Sequence, residues 1–111
     1  MAAQRIVDIV KGYLAVLPDY GIHSKKAVVF GSCARGEATE WSDIDLVVIA
    51  PEFDEVWDVS LKKNLWHARR RADERIEPIP CGLKEWDAGD TERPIIEIAR
   101  EEGEIIDLAA L

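Results

Sequence analysis

The order of apolar patterns along the chain predicts an α/β (α+β) layer fold with one small sheet. Two observations carry this expectation. Short runs of strand character at 26–30, 44–49, 75–80 and 104–108 alternate with longer stretches of helical periodicity. Gly or Pro marks most of the junctions, as at Pro18, Gly21, Gly31, Pro51 and Gly103. A length of 111 residues suits a single domain, 1–111, with one core.

Ile6, Ile9, Val10, Tyr13, Leu14 and Leu17 fall on one helical face and predict a helix from about Ala2 to Leu17. Pro18 stops it, and Asp19-Tyr20-Gly21 makes the turn. Lys26 to Phe30 reads as a buried strand that ends abruptly at Gly31-Ser32. A short helix is expected over 33–37, then loop from Ala38 to Ser42. Ile44 to Ile49 is the second strand, closed by Pro51. A second helix is expected from Glu55 to about Ala72, with Leu61, Leu65, Ala68 and Ala72 on its inner face. Arg75 to Pro80 gives a third strand. Pro78 and Pro80 cannot donate to a ladder, so it belongs at an edge or is irregular. Thr91 reads as an N-cap for a third helix over 93–102, with Pro94 tolerated in its first turn and Gly103 ending it. Glu104 to Leu108 is the last strand.

Hydrophobic residues make up 48% and charged residues 32% of the chain, which is a folded soluble composition. No apolar run approaches the roughly 20 residues that cross a bilayer. The N-terminal stretch lacks the pattern of a signal peptide, so a cytoplasmic location is expected. Cys33 and Cys81 have no metal-type spacing and read as reduced thiols. The net charge of −8 disfavours a direct nucleic-acid surface, which needs Lys and Arg to neutralise phosphates. It still permits an anionic nucleotide held through a divalent cation, and it suits a basic protein partner.

The chemistry is concentrated in GSCARGEATEWSDIDL, residues 31–46. A strand ending in Gly31-Ser32 lets a phosphate approach the backbone, and Ser32 can donate a further hydrogen bond. Asp43 and Asp45 open the next strand at i and i+2, so both carboxylates point to one face, with α-carbons roughly 6–7 Å apart. Two carboxylates aimed at one spot repel unless something positive lies between them, and hard oxygen ligands suit Mg²⁺. An exposed acidic loop-to-strand junction has the same local pattern.

Gly-Ser, ten residues, then Asp-x-Asp resembles the signature of the polymerase-β-like nucleotidyltransferase superfamily. The finer pattern, with Gly31, Ser32, Ala34, Arg35, Gly36, Ser42, Asp43, Asp45 and Leu46, is similar to the minimal nucleotidyltransferases (the MNT group) and their aminoglycoside-modifying relatives. The resemblance implies a nucleotidyltransferase fold, a small mixed sheet flanked by helices. It implies ATP as nucleotide substrate and a pair of Mg²⁺ ions on Asp43 and Asp45. It also implies a third acid on a later strand, and Glu77 in Arg-Ile-Glu-Pro-Ile-Pro is the candidate, as general base or as a further metal ligand. Many relatives carry Asp there. Gly31, Ser32, Arg35 and Ser42 fall on the implied nucleotide-binding positions. Arg35 is suited equally to a phosphate or to bracing the loop against an acidic neighbour.

Other residues read as structural. Trp41 is expected to pack the motif loop down, and Trp57, Trp66 and Trp86 to lie in a core or interface. Arg69-Arg70-Arg71 reads as a solvated run favoured by a helix C-terminus, and His23 and His67 as surface or structural residues.

Larger members of the superfamily have a further domain that shapes the acceptor pocket. The chain ends at Leu111, which implies that this wall comes from elsewhere, in a homo- or hetero-oligomer. MNT proteins typically pair with HEPN ribonuclease toxins, acting as antitoxins that adenylylate a tyrosine of the toxin. The alternatives are a non-catalytic antitoxin that neutralises its partner by contact, and a small-molecule nucleotidyltransferase of the aminoglycoside type.

Overall fold

The computed structural model describes residues 2–54, 59–89 and 92–108. Four strands make one mixed sheet: β1 (Lys26–Phe30), β2 (Ile44–Ala50), β3 (Ile76–Gly82) and β4 (Glu104–Asp107), in the order β3-β2-β1-β4. β2 returns antiparallel on β1, β4 is antiparallel on the other side of β1, and β3 runs parallel to β2. The helices are α1 (Gln4–Val16), α2 (Val59–Ala68), α3 (Leu83–Ala88) and α4 (Pro94–Glu102). The fold class is the expected one, including the edge position of the proline-bearing β3.

Side chains alternate across each strand, so the sheet has two covered faces. Ala27 and Val29 of β1, with Ile44, Leu46 and Val48 of β2, pack with Tyr13, Leu14 and Leu17 of the first helical segment and Leu65 and Ala68 of α2. Val28 and Phe30, with Val47 and Ile49, form the opposite cluster with Cys81, Trp86 of α3 and Ile96 and Ala99 of α4. The parallel β2–β3 pair needs a crossover, and α2 supplies it on the first face. Both cysteines are free and buried, and burial pushes the Cys81 thiol up to about 12.

Several boundaries differ from the sequence expectation. The expected helix over 33–37 is only a 3₁₀ turn at Gly31–Cys33, because Gly36 takes a left-handed φ of +73° that a helix cannot run through. α2 gives way to a 3₁₀ turn at Arg69–Arg71, so Ala72 is exposed instead of buried. Residues 55–58, Trp57 and Thr91 lie outside the described residues. The N-cap of α4 is Arg93, with no side-chain capping bond. The short α3 has no counterpart in the expectation, since six residues are too few for a periodic signal.

Tyr13 ties the first layer together. Its hydroxyl donates a 2.7 Å hydrogen bond to the carbonyl of Leu65, joining α1 to α2 across a buried contact. Burial raises the phenol above its usual range, so it remains a neutral donor. Tyr13→Phe should destabilise the fold by about 1–2 kcal/mol, the magnitude of a buried carbonyl losing one partner. A urea titration should show a lower midpoint with an unchanged slope.

Candidate active site

Strand directions bring the acids together. β2 is antiparallel to β1, so Phe30, the last residue of β1, pairs with Asp45 near the start of β2. β3 is parallel to β2, so Glu77, near its own start, pairs with Asp45 from the other side. Asp45 alternates with Leu46 and so shares the face of Val47 and Ile49, the face covered by α3 and α4. Glu77 lies within hydrogen-bonding reach of both Asp43 and Asp45. The three predicted acids therefore meet at one end of the sheet, although 32 residues separate Asp45 from Glu77 in sequence.

Gly31 closes this end. Its φ is +71°, a left-handed value, and a β-carbon there would stand 2.5 Å from Asp45 Oδ2. Only glycine gives both the turn and the room for the carboxylate. Ser32 lies beside it, half-buried, its carbonyl accepting from the Glu37 N–H at 3.0 Å.

Other contacts hold the loop between β1 and β2. Cys33 is buried beneath it, with Sγ 3.5 Å from the carbonyl of Asp43. Ser42 Oγ accepts from the Thr39 N–H at 2.9 Å, which makes it a loop brace in this conformation. Arg35 pairs with Glu37 at 3.3 Å and with Glu102 at 3.9 Å, so the bracing role has its acidic neighbours. Trp41 does not pack the loop down. Its side chain is 84% exposed, and only its backbone N–H is held, by the Thr39 hydroxyl at 3.3 Å.

Arg75 is a positioning residue that sequence reasoning passed over. Its guanidinium donates to the carbonyl of Glu40 at 2.8 Å and to Asp73 Oδ2 at 2.8 Å. Its own carbonyl accepts from the Ile44 N–H at 2.8 Å. It thus fastens the motif loop to the start of β3, two residues before Glu77. That proximity to the third acid was the only sequence signal available.

The electrostatics are those of crowded like charges. Burial first, then the carboxylates of Asp43 and Asp45, raise the Glu77 carboxyl above its ordinary range. Burial also raises Asp45, with Asp43 adding to the shift, while a hydrogen bond from Glu77 and the charge of Arg35 partly oppose it. Hard carboxylate oxygens fit a divalent cation in donor type. Among the described residues, no group of three or more His, Cys, Asp or Glu side chains is arranged so that it could hold a metal ion, so the fit is one of donor chemistry alone.

A nucleotidyltransferase domain model matches residues 10–107, nearly the whole chain. The chain belongs to the nucleotidyltransferase domain family. Membership supports nucleotidyl transfer as the general activity of this domain. Its fold is similar to that of a crystal structure from Sulfolobus solfataricus, provisionally assigned as a nucleotidyltransferase, with a TM-score of 0.53 and 22% identity over 76% of this chain and 73% of that one. No curated protein sequence matches it significantly. Among the described residues, no helix of this nucleotidyltransferase domain is long and apolar enough to cross a membrane.

Two pH responses follow. A carboxyl whose folded pKa is raised contributes stability that is complete below its unfolded value and is lost as pH rises through the folded value. Glu77→Gln should therefore raise the Tm at pH 7, where the acids repel, and change it little below about pH 4. Mg²⁺ should raise the Tm of the unaltered protein at pH 7 more than that of the variant. Asp73 has the opposite sign, because its hydrogen bond from Arg75 lowers its carboxyl below the usual range. Its contribution is present above the unfolded value of about 3.9 and is lost as pH falls through the folded one. Thermal melts should show Asp73→Asn less stable at pH 7, by about 1 kcal/mol, with the gap closing in strong acid.

Proposed function

We propose that this domain transfers AMP from ATP to an acceptor hydroxyl, and that the acceptor is a tyrosine of a HEPN-type toxin for which it serves as antitoxin. The observation that carries the catalytic part is the meeting of Asp43, Asp45 and Glu77 beside Gly31 at one sheet end. A module that acted by contact alone has no need to hold three mutually repelling acids together. The acceptor and the antitoxin role rest on the resemblance of residues 31–46 to the MNT group.

In this reading Asp43, Asp45 and Glu77 would hold Mg²⁺, which neutralises triphosphate charge when bound. The backbone at Gly31 and Ser32 lets the phosphates approach closely, and the Ser32 hydroxyl donates to them. The acceptor oxygen forms a bond to the α-phosphorus, the bond from that phosphorus to the bridging oxygen breaks, and pyrophosphate leaves. Glu77 takes the acceptor proton, a role that its raised affinity for protons suits. Arg75 and Asp73 act through the loop, by holding Asp43 in place.

The test is a labelling reaction with the purified protein, Mg²⁺, α-labelled ATP and the product of the neighbouring gene, read by gel and intact mass. One AMP per partner chain is expected, reduced at least about a hundredfold by Asp45→Asn. Label on an aminoglycoside and not on the partner would replace the proposed acceptor. A bound partner with no label on any component would sink the catalytic reading in favour of neutralisation by contact.

A further inference from the structure

The tryptophan rings among the described residues differ in what covers them. The Arg69 guanidinium lies over the Trp66 ring at 4.6 Å, and that of Arg100 lies over the Trp86 ring at 4.1 Å. Trp86 is also buried in the cluster beneath α3 and α4. Trp41 has neither cover. It is 84% exposed, and among the described residues no cation lies over its ring.

The backbone that carries this open ring is held on both sides. Arg75 donates to the Glu40 carbonyl at 2.8 Å, and the Trp41 N–H donates to the Thr39 hydroxyl at 3.3 Å. The Ser42 N–H donates to the Thr39 carbonyl at 3.1 Å, and the Cys33 thiol donates to the Asp43 carbonyl at 3.5 Å. A stiff aromatic side chain on a fixed backbone loses little freedom when a second ring stacks on it. Trp41 and Asp43 are two residues apart, so their α-carbons lie at most about 7 Å from each other. A nucleotide whose α-phosphorus sits at the acids carries its base one ribose away, a reach of the same order.

We propose that Trp41 is the stacking surface for the base of the nucleotide, and that it favours purines. The inference rests on the proposed reading that the triphosphate sits at Gly31, Asp43 and Asp45. A protein partner fits this ring less well. An interface sets such an anchor among apolar neighbours, whereas Glu37, Thr39, Glu40 and Ser42 surround Trp41 in the chain, and no other large exposed apolar residue belongs to the loop. A single planar base needs only the one ring. The hydroxyls of Thr39 and Ser42 bond within the loop, which leaves stacking as the contact and not readout of the base edge. Stacking strengthens with ring area, so two-ring bases gain more than one-ring bases.

The test is isothermal titration calorimetry of ATP, GTP, UTP and inorganic tripolyphosphate into the protein with Mg²⁺ in excess. ATP and GTP are expected to bind more tightly than UTP, and UTP more tightly than tripolyphosphate. Trp41→Ala should weaken ATP about tenfold and leave tripolyphosphate unchanged, and Trp41→Phe should restore most of the loss. Thermal melts of the three proteins should superimpose, because the indole supports no other described residue. An equal loss for ATP and tripolyphosphate would overturn the proposal, since the ring would then act through the loop on the phosphates. So would unchanged ATP affinity in Trp41→Ala, whether or not that variant loses the product of the neighbouring gene as a partner. In both of these cases tripolyphosphate still binds the unaltered protein, and the reading of the acids stands. Failure of the unaltered protein to bind either ATP or tripolyphosphate would remove that reading, and this inference with it.

Discussion

Like charges within hydrogen-bonding reach repel, and the sheet holds Asp43, Asp45 and Glu77 together against that repulsion. Strand direction does most of this work. An antiparallel return from β1 places the start of β2 beside Gly31, and a parallel β3 places a third acid beside the second. Reversing β3 would carry Glu77 to the far end of the sheet. The α2 crossover, which makes the parallel pairing possible, is therefore a condition of the site although it lies on the opposite face.

The loop between β1 and β2 is fastened from three sides. Cys33 supports it from below, Ser42 and Thr39 bond within it, and Arg75 ties it to β3. These contacts do not bear on the chemistry directly. They hold a short, polar segment in the one conformation that presents Asp43 next to Asp45, which is what positioning by a rigid surround requires. Holding the acids this close lowers stability at neutral pH. The two covered faces of the sheet, and buried bonds such as that of Tyr13, offset it.

Local patterns in the chain were readable where a single interaction range decided them. The α1 periodicity, the β1 limits, the edge position implied by Pro78 and Pro80, and the stop at Gly103 all appear in the structure. Expectations failed where packing or chain return decided the outcome. Ala72 continues a helical spacing but lies beyond the turn at Arg69–Arg71, and it is exposed. Trp41 is apolar and sits in a loop, yet the loop is held by backbone and hydroxyl bonds, so the indole has nothing to pack against.

Sequence alone determined the types of residue available: a glycine at the end of one strand, two acids at i and i+2 on the next, and a third acid on a proline-rich strand. It determined this because alternation and turn chemistry act over a few residues. Only the tertiary structure decided that Glu77 pairs with Asp45 and that Arg75 anchors the loop. Those outcomes depend on strand order and direction, which are set by how the two layers of helices cover the sheet and not by the local sequence of any one strand.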